Sequence, residues 1–573
     1  MTGSAPAAEA EPRASGARWL EPLVALACAP IFAVAVKSWD VWWHLATGRY
    51  IAAQHRIPDT DPFSYTMKGE PWRLVNGVAD LVLYGFHAAL GVAGLVVAKL
   101  VFGALTVLLV GLGARRLGAG AGLRVALMIA VALLLQARLS LARPLILGAA
   151  LIAAGNLAAL RLEEDGDGKD RAPLAFFALS LPIWPLIHGT AIVGLAQLGL
   201  VTLVLVMGRG AGARSARRAL ACLAWVTVVA AAAPFWRDLV AVAVGLGGGV
   251  TATTFTAEWQ SGVDALGHHL GRWLFVVLGI GGGVMAWRHE REPRRVPLGL
   301  ALLGLVLAFR YGRNAYEAVL LASPGVVIAL VALRERLVSR PLFAVTAAPI
   351  ALLGLIAIQL ATAPLESING PFGFGVARGR YPDDALAVLR ELPEGRVLND
   401  FPTGGYLIWQ GIEVYCDGRT VALYREADVQ HLFVPLMESS DALTKSADEW
   451  HAVYGLAQHA APPNQWMMVS PEWVPLHLGL NASLFLRRTE LGRLPPGVVP
   501  LHLLRYSQDL GWTRGWYAGI VRDPALRAQL LTELEAAHRR GESPLYYRIL
   551  DQIAALDPAY ADELAARIGA HSR

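Results

Sequence analysis

The feature that most constrains this chain is a series of long apolar segments that recur over its first two thirds. Each segment has about 15 to 22 residues, enough for a helix to cross a hydrocarbon core roughly 30 Å thick. Because lipid offers no partner for backbone N–H and C=O groups, such segments cross as helices. We predict about eleven spans, at residues 19–36, 93–113, 121–137, 143–161, 173–187, 189–207, 219–235, 270–287, 296–310, 317–333 and 341–362.

Composition divides the chain into a membrane part and a soluble part. Charged residues make up 17% of the 573 residues, against roughly 25% in an ordinary soluble domain. The deficit lies before residue 363. The sequence therefore predicts a disordered cytoplasmic tail at 1–18, a transmembrane domain at 19–363 with a long first outer loop at 37–90, an α/β domain at 364–515 and a helical tail at 516–573.

Basic residues predict the orientation. Alternate loops carry arginine clusters, and such loops stay on the cytoplasmic side. The N-terminus is then cytoplasmic, and an odd number of spans places the C-terminal domain outside. We expect a protein of the bacterial inner membrane with a periplasmic or extracellular domain. The net charge of +5 lies largely in these loops, which argues against nucleic acid as a partner.

The first outer loop carries the most unusual residues. Asp40 follows the first span directly, where a carboxylate is costly unless it is hydrated, paired or used in chemistry. Residues Trp42 to Gln54 have a helical apolar period with aromatic anchors, which predicts a helix lying in the membrane interface. Two interpretations of Asp40 stay open: a functional carboxylate, or a cap of this helix within an aromatic belt.

This loop resembles that of the GT-C glycosyltransferases, and in particular a bacterial branch of that superfamily. The shared elements are D-x-W-W-H-L-x-x-G from Asp40 to Gly48, I-P-x-x-D-P-F-S-Y from Ile57 to Tyr65, and an outer α/β domain. Further matches are Arg143-Pro144, Trp184 with His188-Gly189, Glu258-Trp259, Arg310 and Arg313. The chain departs from the branch at Leu145 and Ile187, where Gln and Asn are usual.

The resemblance implies an enzyme that takes a sugar from a polyprenyl-phosphate donor and passes it to a glycan, lipid or protein acceptor. Transfer needs a base for the acceptor proton, and Asp40 is the candidate, with His44 beside it. Transfer also needs cations for the leaving phosphate. The donor-binding candidates are Lys99, Arg143, His188, Glu258, Arg310 and Arg313. For the arginines and Lys99, snorkelling to the interface is the alternative.

A metal is a further expectation. Asp59 and Asp61 form an Asp-x-Asp pair that suits Mg²⁺ or Mn²⁺ beside a phosphate, because hard cations favour carboxylate oxygens. An Asx-type turn at Asp59-Thr60-Asp61-Pro62 explains the same residues without a metal.

The outer domain shows alternating helix and strand patterns. We predict helices at 383–392, 405–410, 425–437 and 447–458, and strands at 396–399, 414–416, 466–469 and 484–487. Polar residues at the carboxyl ends of strands commonly line binding crevices, whereas glycine turns are also routine in such folds. The acceptor or outer-domain candidates are Asp400, Gly404, Gly405, Tyr406, Asp417 and Arg419. The tail has the pattern of one helical hairpin, which must pack on this domain or on a partner.

Two other functions stay open. A transporter or flippase of a lipid-linked glycan needs polar sites near the bilayer midplane and related halves. Apart from Lys99 the spans are nearly uncharged, and no internal repeat is evident. A non-catalytic scaffold in envelope glycan assembly is the second alternative, although about eleven spans are more than an anchor needs.

Overall fold

The chain is a polytopic helical membrane protein with an α/β domain at its C-terminal end. A computed structural model describes residues 19–165, 169–208, 213–248, 261–289, 293–337, 341–362 and 372–569. The membrane part contains α1 Leu20–Cys28, α2 Val41–Gln54, α3 Gly77–Leu90, α4 Val92–Arg116, α5 Ala121–Leu139, α6 Leu145–Glu164, α7 Ala172–Ile183, α8 Ala191–Met207, α9 Ala213–Ala232, α10 Pro234–Gly248, α11 Leu270–Trp287, α12 Val296–Arg310, α13 Ala315–Arg336 and α14 Pro341–Thr362.

The structure agrees with the prediction that the first part of the chain forms apolar, membrane-spanning helices. In the described residues, 6 helices are long and apolar enough to cross a membrane, and further apolar helices of 10–17 residues accompany them. One of the shorter ones, α3, lies inside the segment predicted as the first outer loop. That loop thus contains two helices, of which α2 matches the predicted interfacial helix. The sequence prediction missed α3 because a helix of 14 residues is too short to be recognised as a full membrane span.

The α/β domain is built on a four-stranded sheet with the order β1-β2-β4-β3. β1 and β2 are parallel, and the other two pairings are antiparallel. The strands are β1 Arg396–Asn399, β2 Ala452–Gln458, β3 Trp473–Leu478 and β4 Ala482–Arg487. The helices of this domain are α15 Asp383–Leu389, α16 Phe401–Trp409, α17 Glu426–Leu432, α18 Val434–Glu438, α19 Ser440–Glu449 and α20 Pro462–Val469.

The middle of this domain differs from the prediction. The helix expected at 447–458 is wrong, because α19 ends at Glu449 and β2 follows. The strand expected at 466–469 is helix α20, whose two prolines suit a first helical turn. The strand expected at 414–416 contributes only isolated bridges of Val414. All residues of β3 and β4 are buried. Their sequences therefore lack the alternation of polar and apolar residues that distinguishes a half-exposed strand from a buried helix.

The α/β domain sits directly on α2. After α1 the chain becomes extended, and Val34 and Val36 form bridges with Phe372 and Val376 at the start of the domain. Beside these bridges the aromatic side chains of the two parts pack edge to face at centroid distances of 4.9 to 5.1 Å. These rings belong to Trp39, Trp42, Tyr381 and Tyr406. The aromatic contacts fix the domain over the N-terminal end of α2.

The tail packs on the α/β domain, one of the two predicted alternatives. It forms α21 Leu510–Ile520, α22 Pro524–His538, α23 Pro544–Ala554 and α24 Pro558–Arg567. Strand β3 is at the edge of the sheet, and groups of the tail and of the segment before it bind its carbonyls. From the tail, Arg540 donates to the carbonyl of Leu476 and the hydroxyl of Tyr546 to that of Leu478, each at 3.3 Å. From the segment before it, Arg505 donates to the carbonyl of Trp473 at 2.7 Å. The edge is therefore covered.

A buried ion cluster joins the first outer loop to the outer domain. Arg419 donates to Asp417 through Nε at 2.8 Å and through Nη2 at 2.6 Å, and its Nη1 donates to Asp61. All three side chains have no exposed surface. Burial alone would lower the pKa of Arg419, but the charges of Asp417 and Asp61 outweigh it and raise the pKa well above its ordinary value.

We expect the Arg419→Met variant to lose about 3 to 5 kcal/mol of folding free energy, because two buried carboxylates lose their counter-charge. Thermal and denaturant unfolding of the purified full-length protein measures this loss. Arg425→Met is the matched control, since Arg425 is exposed in the same segment. Equal stability of the two variants would contradict the structural role of the cluster.

Candidate functional site

A cavity of about 630 Å³ lies between the membrane helices and the α/β domain. Its walls come from the start of α2, the segments after α5 and before α8, the connection from α12 to α13, and residues 418–422 of the outer domain. Much of the polar lining is basic. The ionisable and amide groups around it are Asp40, His44, Asn76, Arg138, Arg143, His188, Arg313, Asn314, Glu317 and Arg419.

The structure brings six of the predicted site residues to this cavity. They are Asp40, His44, Arg143, His188, Arg313 and Arg419. Two donor-binding candidates lie elsewhere. Lys99 is buried in α4 and donates to the carbonyl of Val34, a group left free where the chain unwinds after α1. Arg310 does not line the cavity, and its guanidinium lies over the ring of the lining residue Tyr311 at 4.7 Å. Glu258 lies outside the described residues.

Asp40 occupies the N-cap position of α2 but makes no side-chain capping hydrogen bond. Its carboxylate pairs with Arg143, whose Nη2 is 3.1 Å from Oδ2. The Nε of the same guanidinium donates to Ser38 Oγ at 2.8 Å. Gly418 approaches Asp40 from the outer domain so closely that a Cβ there would lie 2.6 Å from Oδ1. Asp40 therefore stands at the cap position of α2, but its side chain pairs with Arg143 instead of capping the helix.

The two histidines of the cavity are both held neutral. Burial lowers the pKa of His44 well below its ordinary value, and the nearby charges of Arg143 and His188 lower it further. Burial also lowers the pKa of His188, to about 3, with smaller contributions from Arg138 and Arg313. At neutral pH each ring therefore carries one proton and no charge.

Sequence reasoning missed several lining residues. Arg138 lies in the last turn of α5, and Glu317 lies one helical turn after Arg313. Both stand at the ends of apolar segments that were interpreted only as spans. The spacing of four residues between Arg313 and Glu317 is the signal that would have found the latter. One wall is apolar and is formed by Leu145, Ile192, Val193, Leu239, Val242 and Leu307.

The remaining outer-domain candidates build the fold around the cavity. Asp400 caps α16 by accepting from the backbone N–H of Thr403 at 3.0 Å. A Cβ on Gly404 would meet the carbonyl oxygen of Cys416 at 2.1 Å, and one on Gly405 would meet that of Trp39 at 3.0 Å. The hydroxyl of Tyr406 donates to Asp383, and Asp417 belongs to the cluster of Arg419.

The predicted metal pair does not form a site in the described residues. Asp59 is exposed, whereas Asp61 is buried and accepts from the backbone N–H of Phe63 at 2.9 Å and of Ser64 at 3.2 Å. Asp61 also accepts from Arg419. In the part of the chain that the structure describes, no group of three or more His, Cys, Asp or Glu residues stands ready to hold a metal ion. The turn explanation thus fits these two residues.

No protein-family model matches the sequence, and no curated protein matches it. Solved structures do match. The apo crystal structure of the oligosaccharyltransferase from Archaeoglobus fulgidus has a TM-score of 0.58 at 12% identity, covering 95% of this chain and 87% of that one. The same enzyme in complex with Zn and sulfate gives 0.54 at 12% identity, covering 94% and 86%.

A third structure of that enzyme, tethered to an acceptor peptide containing the NVT sequon, also gives 0.54 at 12% identity, over 85% of this chain and 76% of that one. The match spans the membrane helices and the outer domain together, as the coverage requires. The chain therefore shares the fold of this archaeal oligosaccharyltransferase, and the predicted fold class, a polytopic helical membrane protein with a C-terminal α/β domain, is confirmed.

Proposed function

We propose that this protein is a glycosyltransferase that moves a sugar from a polyprenyl-phosphate-linked donor to an acceptor bound in the cavity. The observation that carries the proposal is the meeting of a carboxylate, Asp40, with three lining arginines between the membrane helices and the outer domain. These arginines are Arg138, Arg143 and Arg313. A lipid phosphate and a water-soluble acceptor have access to such a junction from opposite sides.

The cavity has the two kinds of wall that such a donor needs. Guanidinium groups bind phosphate oxygens through forked, charge-assisted hydrogen bonds. The apolar wall formed by α8, α10 and α12 suits a prenyl chain that remains in the membrane. The sulfate in a structure of the archaeal enzyme, and the acceptor peptide in another, support an anion and an acceptor within this fold.

Two buried polar atoms also point to a ligand. Among the described residues, Nε1 of Trp43 and Oε2 of Glu317 are buried without a hydrogen-bond partner, and both residues line the cavity. Unsatisfied buried polar atoms are costly, so native proteins keep few of them. An indole N–H suits an oxygen of the substrate, and a carboxylate suits a hydroxyl group.

In the proposed reaction the acceptor attacks the anomeric carbon while the bond from that carbon to the phosphate oxygen breaks. The phosphate leaves with the electron pair, and Asp40 takes the proton of the acceptor. Arg143 already pairs with Asp40 at 3.1 Å, so an arriving phosphate would compete for this guanidinium and leave the carboxylate more basic.

The orientation completes the proposal. The arginine clusters in alternate loops support a cytoplasmic N-terminus and an outer domain on the opposite face of the inner membrane. In that orientation the cavity opens where lipid-linked sugars are used outside the cytoplasm. The acceptor is then a glycan, lipid or protein of the cell envelope.

The Asp40→Asn variant is expected to lower transfer at least about 100-fold, because an amide cannot take the acceptor proton. Glycolipids, glycoproteins and surface glycans are compared by mass spectrometry between a deletion strain and strains complemented with each variant. Asp59→Asn is the matched control, an exposed aspartate of the same loop outside the cavity. Full restoration of the missing glycan by Asp40→Asn, at wild-type amounts of protein in the membrane, would refute Asp40 as the base.

Arg313→Gln should weaken donor binding about 10- to 100-fold, because one charge-assisted hydrogen bond to phosphate is lost. Titration of the purified protein with undecaprenyl phosphate, followed by native mass spectrometry, measures the affinity. The neighbouring variant Arg310→Gln serves as the control because Arg310 does not line the cavity. Equal affinities for the two variants would contradict the assignment of this arginine to the phosphate.

A further inference from the structure

The two cavity histidines have Nδ1 partners of opposite kind. The Nδ1 of His44 is 2.7 Å from Oδ1 of Asp80. The Nδ1 of His188 accepts from the backbone N–H of Thr190 at 3.2 Å. A backbone N–H only donates, so His188 carries its single proton on Nε2. An ionised Asp80 only accepts, and with this partner His44 carries its proton on Nδ1 and leaves Nε2 with a lone pair.

The contact between His44 and Asp80 depends on a close approach of α2 and α3. Gly48 lies one helical turn after His44, and a Cβ at this position would lie 2.3 Å from the carbonyl oxygen of Asp80. The absence of a side chain therefore lets the α3 backbone touch α2. Asp40, His44 and Gly48 are spaced by four residues and share one face of the helix. This spacing accounts for three positions of the D-x-W-W-H-L-x-x-G element.

Asp80 reaches the cavity only through His44. The Asp80 side chain has no exposed surface and is absent from the cavity lining, whereas His44 forms part of that lining. Since Nδ1 of the ring is turned to Asp80, the opposite nitrogen, Nε2, is the one available to the cavity. Asp80 can thus act on a substrate by fixing the position and tautomer of the imidazole.

We propose that Asp80 is a positioning residue that holds His44 with an unprotonated Nε2 toward the cavity, where this nitrogen accepts a hydrogen bond from a substrate hydroxyl group. A phosphate oxygen opposite this lone pair would be repelled. The phosphate accordingly binds among Arg138, Arg143, Arg313 and the N–H of His188. The cavity then has a phosphate side and a hydroxyl side, the latter formed by His44 and Asp40.

The nature of the substrate in this inference rests on the proposed function, whereas the tautomer does not. Nitrogen-15 NMR of the full-length protein labelled at histidine measures the tautomer directly, and the His44→Gln variant identifies the His44 signals by their loss. We expect an unprotonated Nε2 in the wild-type protein. A protonated Nε2, the result if Asp80 were itself the proton donor, would overturn the proposal.

The Asp80→Asn variant tests the positioning role. An amide N–H can donate to Nδ1 and should move the ring proton to Nε2, while the exposed control Asp59→Asn should leave the His44 signals unchanged. In the glycan assay we expect Asp80→Asn to lower transfer about 10- to 100-fold, because one hydrogen bond to a substrate hydroxyl is lost.

An unchanged tautomer in Asp80→Asn, or a changed tautomer with full transfer, would overturn the proposal. If this variant does not accumulate in the membrane, the wild-type His44 signal alone still decides the tautomer. A wild-type ring with unprotonated Nε2 in a protein that transfers no sugar would refute the proposed function while leaving the tautomer of His44 established.

Discussion

The arrangement of the two parts of this protein depends on the ion cluster of Arg419. The guanidinium binds Asp417 of its own segment and Asp61 of the first outer loop, with no exposed surface on any of the three side chains. Gly418 is adjacent in sequence, and its backbone lies against the carboxylate of Asp40. The cluster therefore fixes the roof of the cavity against the residue proposed as the base. Aromatic packing around Trp42 supports the same contact.

The sequence allowed much of the site to be predicted because its residues stand at one end of their helices. Alternating basic loops assign helix ends to faces of the membrane, and Asp40, Arg143, His188 and Arg313 were grouped on that ground. The distribution of basic loops does not indicate which side of a helix faces the cavity. Lys99 and Arg310 were therefore assigned to the pocket, although neither lines the cavity.

The other failures come from burial and from contacts between distant parts of the chain. Every residue of β3 is buried, so the usual period of two is absent from this strand, which was not predicted. Asp80 stands inside an apolar helix, where a single carboxylate gave no sign of a partner 36 positions earlier in the chain. Asp61 shows the converse, since its Asp-x-Asp spacing suggested a metal, whereas its oxygens accept from backbone N–H groups and from Arg419. The partners of Asp80 and Asp61 include residues far away in the sequence, which a short sequence motif does not reveal.

The tail has a consequence for the assembly of the chain. In the described residues, carbonyls of edge strand β3 accept from residues that follow it in the chain, among them Leu501, Arg505 and Tyr546. Until those residues have been synthesised and have docked, the strand exposes unpaired carbonyls, a form that pairs readily with other chains. The α/β domain is thus vulnerable to intermolecular strand pairing until these residues have docked. The helices that follow β3 protect its edge once they are in place.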